Sequence, residues 1–288
     1  MSAQVTQSDD AAARTGRKLF GCAAAWSLVA AGAALVAAAL AGNGSVGVLP
    51  CNLAALVAAL AAAGHGIAGR ELGCLLDERN RFSLARAQLL VWAVVVFALL
   101  LSAVEWNIVA GAADPLAITI PNALLAVLGL SVGTAAAAPG LVGLRGTRSA
   151  PASPRQMEAA LLRLPAAADA GGGLVAQGQV IGNAQPARAS WRDLLSGDEI
   201  SNAGRLDIAK AQQALLTLVL ATGYLASARG LFNGSAAITA LPALGTAAAA
   251  LLAASHAGYL VQKIVPKADA STMTAPPTSR STPGSDDA

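Results

Sequence analysis

Polar residues are scarce inside the long apolar runs of this chain, and the few that stand there are where chemistry could occur. Arg86 and Lys210 each open such a run, three residues after Ser83 and Asp207. Two cations at matching mouths could contact an anionic solute or a lipid phosphate. The plainer reading is a long basic side chain that snorkels from a helix end to the headgroups. Ser83 and Asp207 stand where a side-chain oxygen caps the first free amides of a helix. Gln88 and Gln212 lie a little further in, with Gln213 beside the second. Facing amides could line a polar path, or they could hydrogen-bond between helices and only hold them together. His65 and His256 are the only two histidines. Either could titrate near neutral pH, but no acidic residue shares its run, which favours a helix contact. His256 joins Arg86, Lys210, Gln88 and Gln212 as the positions expected to make polar or anion contacts.

No catalytic set emerges from these residues. Two histidines without Cys, Asp or Glu at ligand spacing argue against a metal site. The Gly171-Gly172-Gly173 run lacks the Lys-Ser/Thr of a phosphate loop, so it reads as a joint, and no cofactor is expected. No nucleophile is placed beside a base, as a hydrolase would need. Cys22, Cys51 and Cys74 are three in number, with no pair obviously placed to bridge, and read as free thiols. A net charge of +3 and a pI near 9.0 do not point to nucleic acid, because the basic residues flank apolar runs and form no patch interleaved with aromatics.

The elements that must position these residues follow from composition. The chain is 55% hydrophobic and 12% charged, against about 25% charged in an ordinary soluble domain. So much apolar surface calls for a bilayer as solvent. Six spans of about 20 residues fit the length, giving an all-α, polytopic transmembrane bundle of three hairpins. A cytoplasmic tail (1–18) precedes the first hairpin (19–69), whose opening run over 19–41 is too long for a signal peptide and reads as a retained anchor. A charged connector (70–83) leads to the second hairpin (84–138). Residues 139–205 are rich in Pro and Gly and read as a flexible cytoplasmic insert; within it, 157–164 and 191–195 could form short helices on the membrane surface. The third hairpin (206–262) and a tail expected to be disordered (263–288) complete the chain. In this arrangement every Lys and Arg except Arg229 falls on the side of the termini, which makes that side cytoplasmic. Gly129 and Gly133 form a GxxxG pair suited to close helix packing, within the bundle or between copies.

Aligning Arg81 with Arg205 sets RFSLARAQLL against RLDIAKAQQA, matching Arg86 to Lys210 and Gln88 to Gln212. Ile120-Pro121 then answers Leu241-Pro242, and Ser131 answers Ser255. The third hairpin therefore reads as a copy of the second, in parallel orientation about an axis along the membrane normal.

At these residues the chain resembles a family of bacterial multi-pass inner-membrane proteins of unknown function. The resemblance lies in FSLARAQ (82–88) at one span entrance, the 191–199 segment with its WRDLL and Asp198-Glu199, and SHAGYL (255–260) followed by Lys263. It covers roughly residues 75 to 265 and implies membrane architecture without catalytic residues. The functional expectation is a structural or interaction protein of the inner membrane, with the bilayer and either further copies or another membrane protein as partners. The alternative is a small-solute or ion transporter or channel built on the duplicated hairpins.

Overall fold

A computed structural model describes residues 45–164 and 173–265. The first expected span (19–41), the N-terminal tail (1–18), residues 266–288 of the C-terminal tail, Cys22 and most of the triple-glycine run lie outside the described residues. Among the described residues six α-helices carry the fold: α1 Ser45–Ala68, α2 Leu84–Val109, α3 Asn122–Arg148, α4 Pro154–Arg163, α5 Ile208–Ala228 and α6 Thr246–Ile264. A short antiparallel hairpin pairs β1 (Leu174–Gln177) with β2 (Val180–Asn183).

Among the described residues four segments are long and apolar enough to cross a membrane: Gly47–Ala68, Leu84–Val109, Asn122–Arg148 and Ile208–Asn233. The chain is mostly helical, with the composition and helix lengths of a membrane protein. The α6 helix falls outside this set because Ser255, His256, Gln262 and Lys263 dilute its apolar character. His256 and Lys263 are nonetheless buried, so the polarity that disqualifies α6 on composition is turned partly inward.

Four helices close a ring. The α2 helix packs on α3, α3 on α6, α6 on α5, and α5 back on α2, while α1 lies against the outside of α2. The ring interior is filled by Trp92, Val96, Leu99, Leu124, Val127, Tyr224 and Leu252. Fully burying side chains of this size is worth about 1.5–3 kcal/mol each relative to water. In a bilayer that gain is spent largely on insertion, so close packing and hydrogen bonds must set the partner helices.

The hairpin boundaries differ from those read in the sequence. Residues 118–121 and 236–245 are extended rather than helical, and they meet in a parallel bridge between Thr119 and Ala240. Thr119 donates its N–H to the Thr239 carbonyl at 2.8 Å, and Leu241 donates to the Thr119 carbonyl at 3.0 Å. Pro121 stands immediately before α3 and explains its start, since proline has no N–H to give a preceding turn, whereas α6 begins after Gly245, three residues beyond Pro242. Asn107 secures the same end: its Nδ2 donates to the Ile238 carbonyl at 2.9 Å, and its Oδ1 accepts from the Ile238 N–H at 2.6 Å.

At the opposite end, α3 runs on past 138 to Arg148, carrying Pro139 inside it. Residues 173–205, expected as flexible, are a cap built of the β-hairpin and short 3-10 turns. Its small core joins Ala160 of α4 to Ile181, Ile200 and Ala203. The Ser153 side chain and Gln156 form a capping box that starts α4. The β-hairpin turns at Gly178, where φ is +58° and a Cβ would stand 2.2 Å from the Gly146 carbonyl of α3. Only glycine meets both demands. Hydrophobic periodicity could not reveal this cap, because most of its fastening is polar.

Candidate functional site

The residues with the most chemical potential gather where the cap meets the ring. Asp198 stands at the centre, 5% exposed. Its Oδ1 accepts from Lys210 Nζ at 3.0 Å and from Arg79 at 3.1 Å, with Arg81 at 3.8 Å. Its Oδ2 pairs with Lys263. Lys210 also donates to the Ser196 carbonyl at 2.6 Å. Arg81 is held by Asp193 at 3.1 Å, by Ser196 Oγ at 2.7 Å and by the Gly197 carbonyl at 2.9 Å. Next in sequence, Glu199 pairs with Arg145 at 2.8 Å.

One turn of the cap thus fastens every helix of the ring. Lys210 belongs to the start of α5, Lys263 to the end of α6, Arg145 to the end of α3, and Arg79 and Arg81 to the lead-in of α2. Around that lead-in, Asp77 Oδ2 accepts from Arg79 Nη2 at 2.7 Å. Asn80, at φ +54°, donates to the Asn183 carbonyl at 3.0 Å while Asn183 donates back at 2.8 Å. An Asn tolerates the left-handed region better than most residues.

Burial alone would raise the Asp198 carboxyl, but Lys210, Lys263, Arg79 and Arg81 outweigh it and hold the group well below the ordinary carboxylate range. For Arg79, burial works against the charged form, and Asp198 and Asp77 more than reverse it, so the guanidinium stays protonated. The Asp198 carboxylate is therefore ionised, and Lys210, Arg79 and Arg81, drawn onto it, are also engaged by other protein oxygens.

Above the cluster, away from the cap, a thin apolar layer of Leu84, Ala85, Ala138 and Tyr259 packs with Ala214. One turn further, the ring turns polar again. Gln88 Nε2 donates to Thr217 Oγ1 at 2.6 Å and to the Gln213 carbonyl at 3.3 Å, tying α2 to α5. Thr134 Oγ1 meets His256 Nδ1 at 2.8 Å, tying α3 to α6. Trp92 and Tyr224, with ring centroids 6.4 Å apart, then close the interior. Nearer the far end, Asn52 of α1 donates to Glu105 at 2.7 Å and to Ser102 Oγ at 3.0 Å.

Several expected positions take other roles here. Arg86 and Lys210 are not equivalent: Lys210 is buried on Asp198, whereas Arg86 is part-exposed and pairs with Glu78 at 2.6 Å. Gln212 is exposed and its neighbour Gln213 is the buried partner of Gln88, so the α5 face is turned by one residue from the sequence alignment. Asp207 caps α5 by accepting from the Lys210 N–H at 3.4 Å, while Ser83 makes no side-chain cap bond. His65 stands 3.6 Å from Glu71, just beyond its helix. Gly129 and Gly133 face open space, so this pair mediates no packing among the described residues.

Asp198, Glu199 and Asp193 escaped the sequence reading as site residues. The available signal was three acids in a Gly- and Pro-containing stretch that otherwise looked solvent-facing. Cys51 and Cys74 are free thiols. Among the described residues no group of His, Cys, Asp and Glu is arranged to hold a metal ion. No family model, curated protein or solved structure matches this chain.

Proposed function

We propose that this chain is an inner-membrane interaction protein that holds a protein partner, another membrane protein or further copies of itself, through its cap. The observation that carries this reading is the Asp198–Glu199 turn, which grips all four ring helices at once. Removing one partner from a buried ion pair costs about 3–5 kcal/mol, so a ring fastened this way resists the rocking that alternating access requires. The cap displays Trp191, and the α4 helix packed against it displays Leu162, 61% and 80% exposed. Side chains of this kind anchor protein interfaces.

In this reading the protein has six spans with both termini and the cap in the cytoplasm. The α6 helix and residues 19–41 complete the six. The α5–α6 hairpin is a parallel copy of the α2–α3 hairpin. The parallel bridge of Thr119 with Ala240, the residues just before Ile120-Pro121 and Leu241-Pro242, supports that symmetry, as does the basic character of the cap side. The motifs at 82–88, 191–199 and 255–260 support a kinship with the bacterial membrane proteins the chain resembles.

A photo-crosslinking amino acid at Leu162 or Trp191, activated in native membranes, tests the interaction reading. The expected result is a defined protein adduct from these sites and none from lipid-facing Val219. No adduct at either site, together with solute flux through vesicles of the purified protein, would sink it. The second reading, a transporter, is favoured by the polar layer of Gln88, Gln213, Thr134 and His256. It requires the Asp198 fastening to open.

A further inference from the structure

We propose that Asn52 and Glu105 form a proton-binding site between α1 and α2, in which Glu105 is held as the neutral acid. Both residues lie inside segments long and apolar enough to cross a membrane, Glu105 one turn before the end of α2 and Asn52 two turns into α1. Glu105 is 4% exposed and Asn52 0%. Asn52 Nδ2 donates to Glu105 Oε2 at 2.7 Å and to Ser102 Oγ at 3.0 Å. The other oxygen of each group, Asn52 Oδ1 and Glu105 Oε1, has no hydrogen-bond partner among the described residues. Each of these oxygens shares its carbon with an atom of the 2.7 Å bond, so the two flank a single contact.

Two buried acceptors at one contact need a donor, and the neighbouring groups have none to spare. Both N–H bonds of the Asn52 amide are spent on Ser102 and Glu105. Ser102 Oγ gives its proton to the Ala98 carbonyl at 2.7 Å, and Trp106 Nε1 gives its own to the Ala236 carbonyl at 3.0 Å. Leu49, Leu53 and Leu56 of α1 are apolar and pack in the same core as Trp106. Nor is a cation paired with Glu105 among the described residues. Of the ionisable groups on the elements around it, His65 stands beside Glu71, Tyr224 donates to the Pro242 carbonyl and Asp114 accepts from the Leu116 N–H. Cys51 and Arg229 make no hydrogen bond or ion pair with it. The α3 helix carries its charges, Arg145 and Arg148, in its last turn at the cap end.

An ionised carboxylate accepts hydrogen bonds but cannot donate one. Its charge here would face only a neutral amide, and a buried carboxylate without a counter-charge takes up a proton instead. One proton on Glu105 Oε1 supplies the missing donor, and Asn52 Oδ1 is the acceptor beside it. Amide and acid are then joined by two antiparallel hydrogen bonds, N–H to Oε2 and O–H to Oδ1, which satisfies every polar atom of the pair. A divalent cation is a poorer guest, since it takes about six oxygens and these two are the unpartnered ones at this contact. The site lies at the opposite end of α2 from the Asp198 cluster and is independent of the interaction reading.

Solid-state NMR of the full chain in lipid bilayers at pH 7, with labelled glutamate side-chain carboxyl carbons, is the test. The chain has five glutamates, and the signal lost in Glu105→Gln assigns Glu105 among them. The expected result is the carbon shift of a neutral acid. The shift of an ionised carboxylate, whether hydrated or bound to a metal ion, would overturn the proposal. Thermal midpoints in the same bilayers give a second measurement. Glutamine is neutral and both donates and accepts at this position, so Glu105→Gln should keep the midpoint within about 1 °C of wild type. Glu105→Met leaves Asn52 with neither bond to this position and should lower the midpoint by about 2–4 °C. A fall in Glu105→Gln as large as that in Glu105→Met would count against the neutral acid.

Discussion

Asp198 makes the largest single demand on this structure, since four cations converge on one buried carboxylate. Replacing it with Asn removes the charge they share and leaves Lys210 and Lys263 buried without a counter-ion. Asp198→Asn is expected to destabilise the protein by roughly 3–5 kcal/mol, read as a lowered thermal midpoint in lipid nanodiscs. The same residue sets an acid limit. Its folded-state pKa lies below its unfolded value near 4, so its contribution is complete above that value and is lost as pH falls through the depressed folded pKa. Thermal midpoints measured from pH 7 to pH 3 should fall at the acid end in wild type, and the fall should be shallower in Asp198→Asn. An equal fall in both would show that other carboxylates govern acid unfolding. The sequence could not single out Asp198, because an acid in a polar stretch is ordinarily solvated. Lys210 was visible as a cation at a helix mouth, but its partner is set by long-range folding of the cap.

At the scale of elements, the apolar helices were legible because a run of about 20 uncharged residues has few alternatives. Their ends were less so. The extended pairs at 118–121 and 239–241 sit inside apolar runs, and hydropathy does not distinguish a helix from a strand-like crossing whose carbonyls and amides are paired with each other. Asn107 holds this arrangement from α2, so Asn107→Ala leaves the Ile238 N–H and carbonyl to find other partners in a buried place. A loss of about 1–3 kcal/mol is expected, with faster amide exchange at Ile238 and Leu241; unchanged exchange there would remove Asn107 from the role. The GxxxG pair makes the opposite prediction. Gly129 and Gly133 meet nothing within the described fold, so Gly129→Leu with Gly133→Leu should leave the unfolding free energy within about 0.5 kcal/mol of wild type, the range of surface changes. A large loss would place another helix against that face.

Across the whole molecule, polarity is stacked in layers: a charge cluster at the cap, a thin apolar sheet, an uncharged polar layer, a dense apolar core and a polar contact around Glu105 at the far end. The stacking accounts for why the four ring helices pack in one arrangement, since each polar layer aligns when α2 faces α5 and α3 faces α6. Gln88 and His256 were readable as inward polar residues from their runs alone. Gln213 was misplaced by one position because the alignment of two span entrances assumes equal helix rotation. The cap fastens these layers at one end through Asp198 and Glu199, and its folding is the central claim. Hydrogen–deuterium exchange of the full chain in lipid nanodiscs tests that claim most directly, comparing wild type with Asp198→Asn. Amides over residues 180–199 should be protected in wild type and exchange much faster in the variant, while α2 and α3 stay protected in both. Rapid exchange over 180–199 in wild type would contradict the account, returning the insert to a flexible tether.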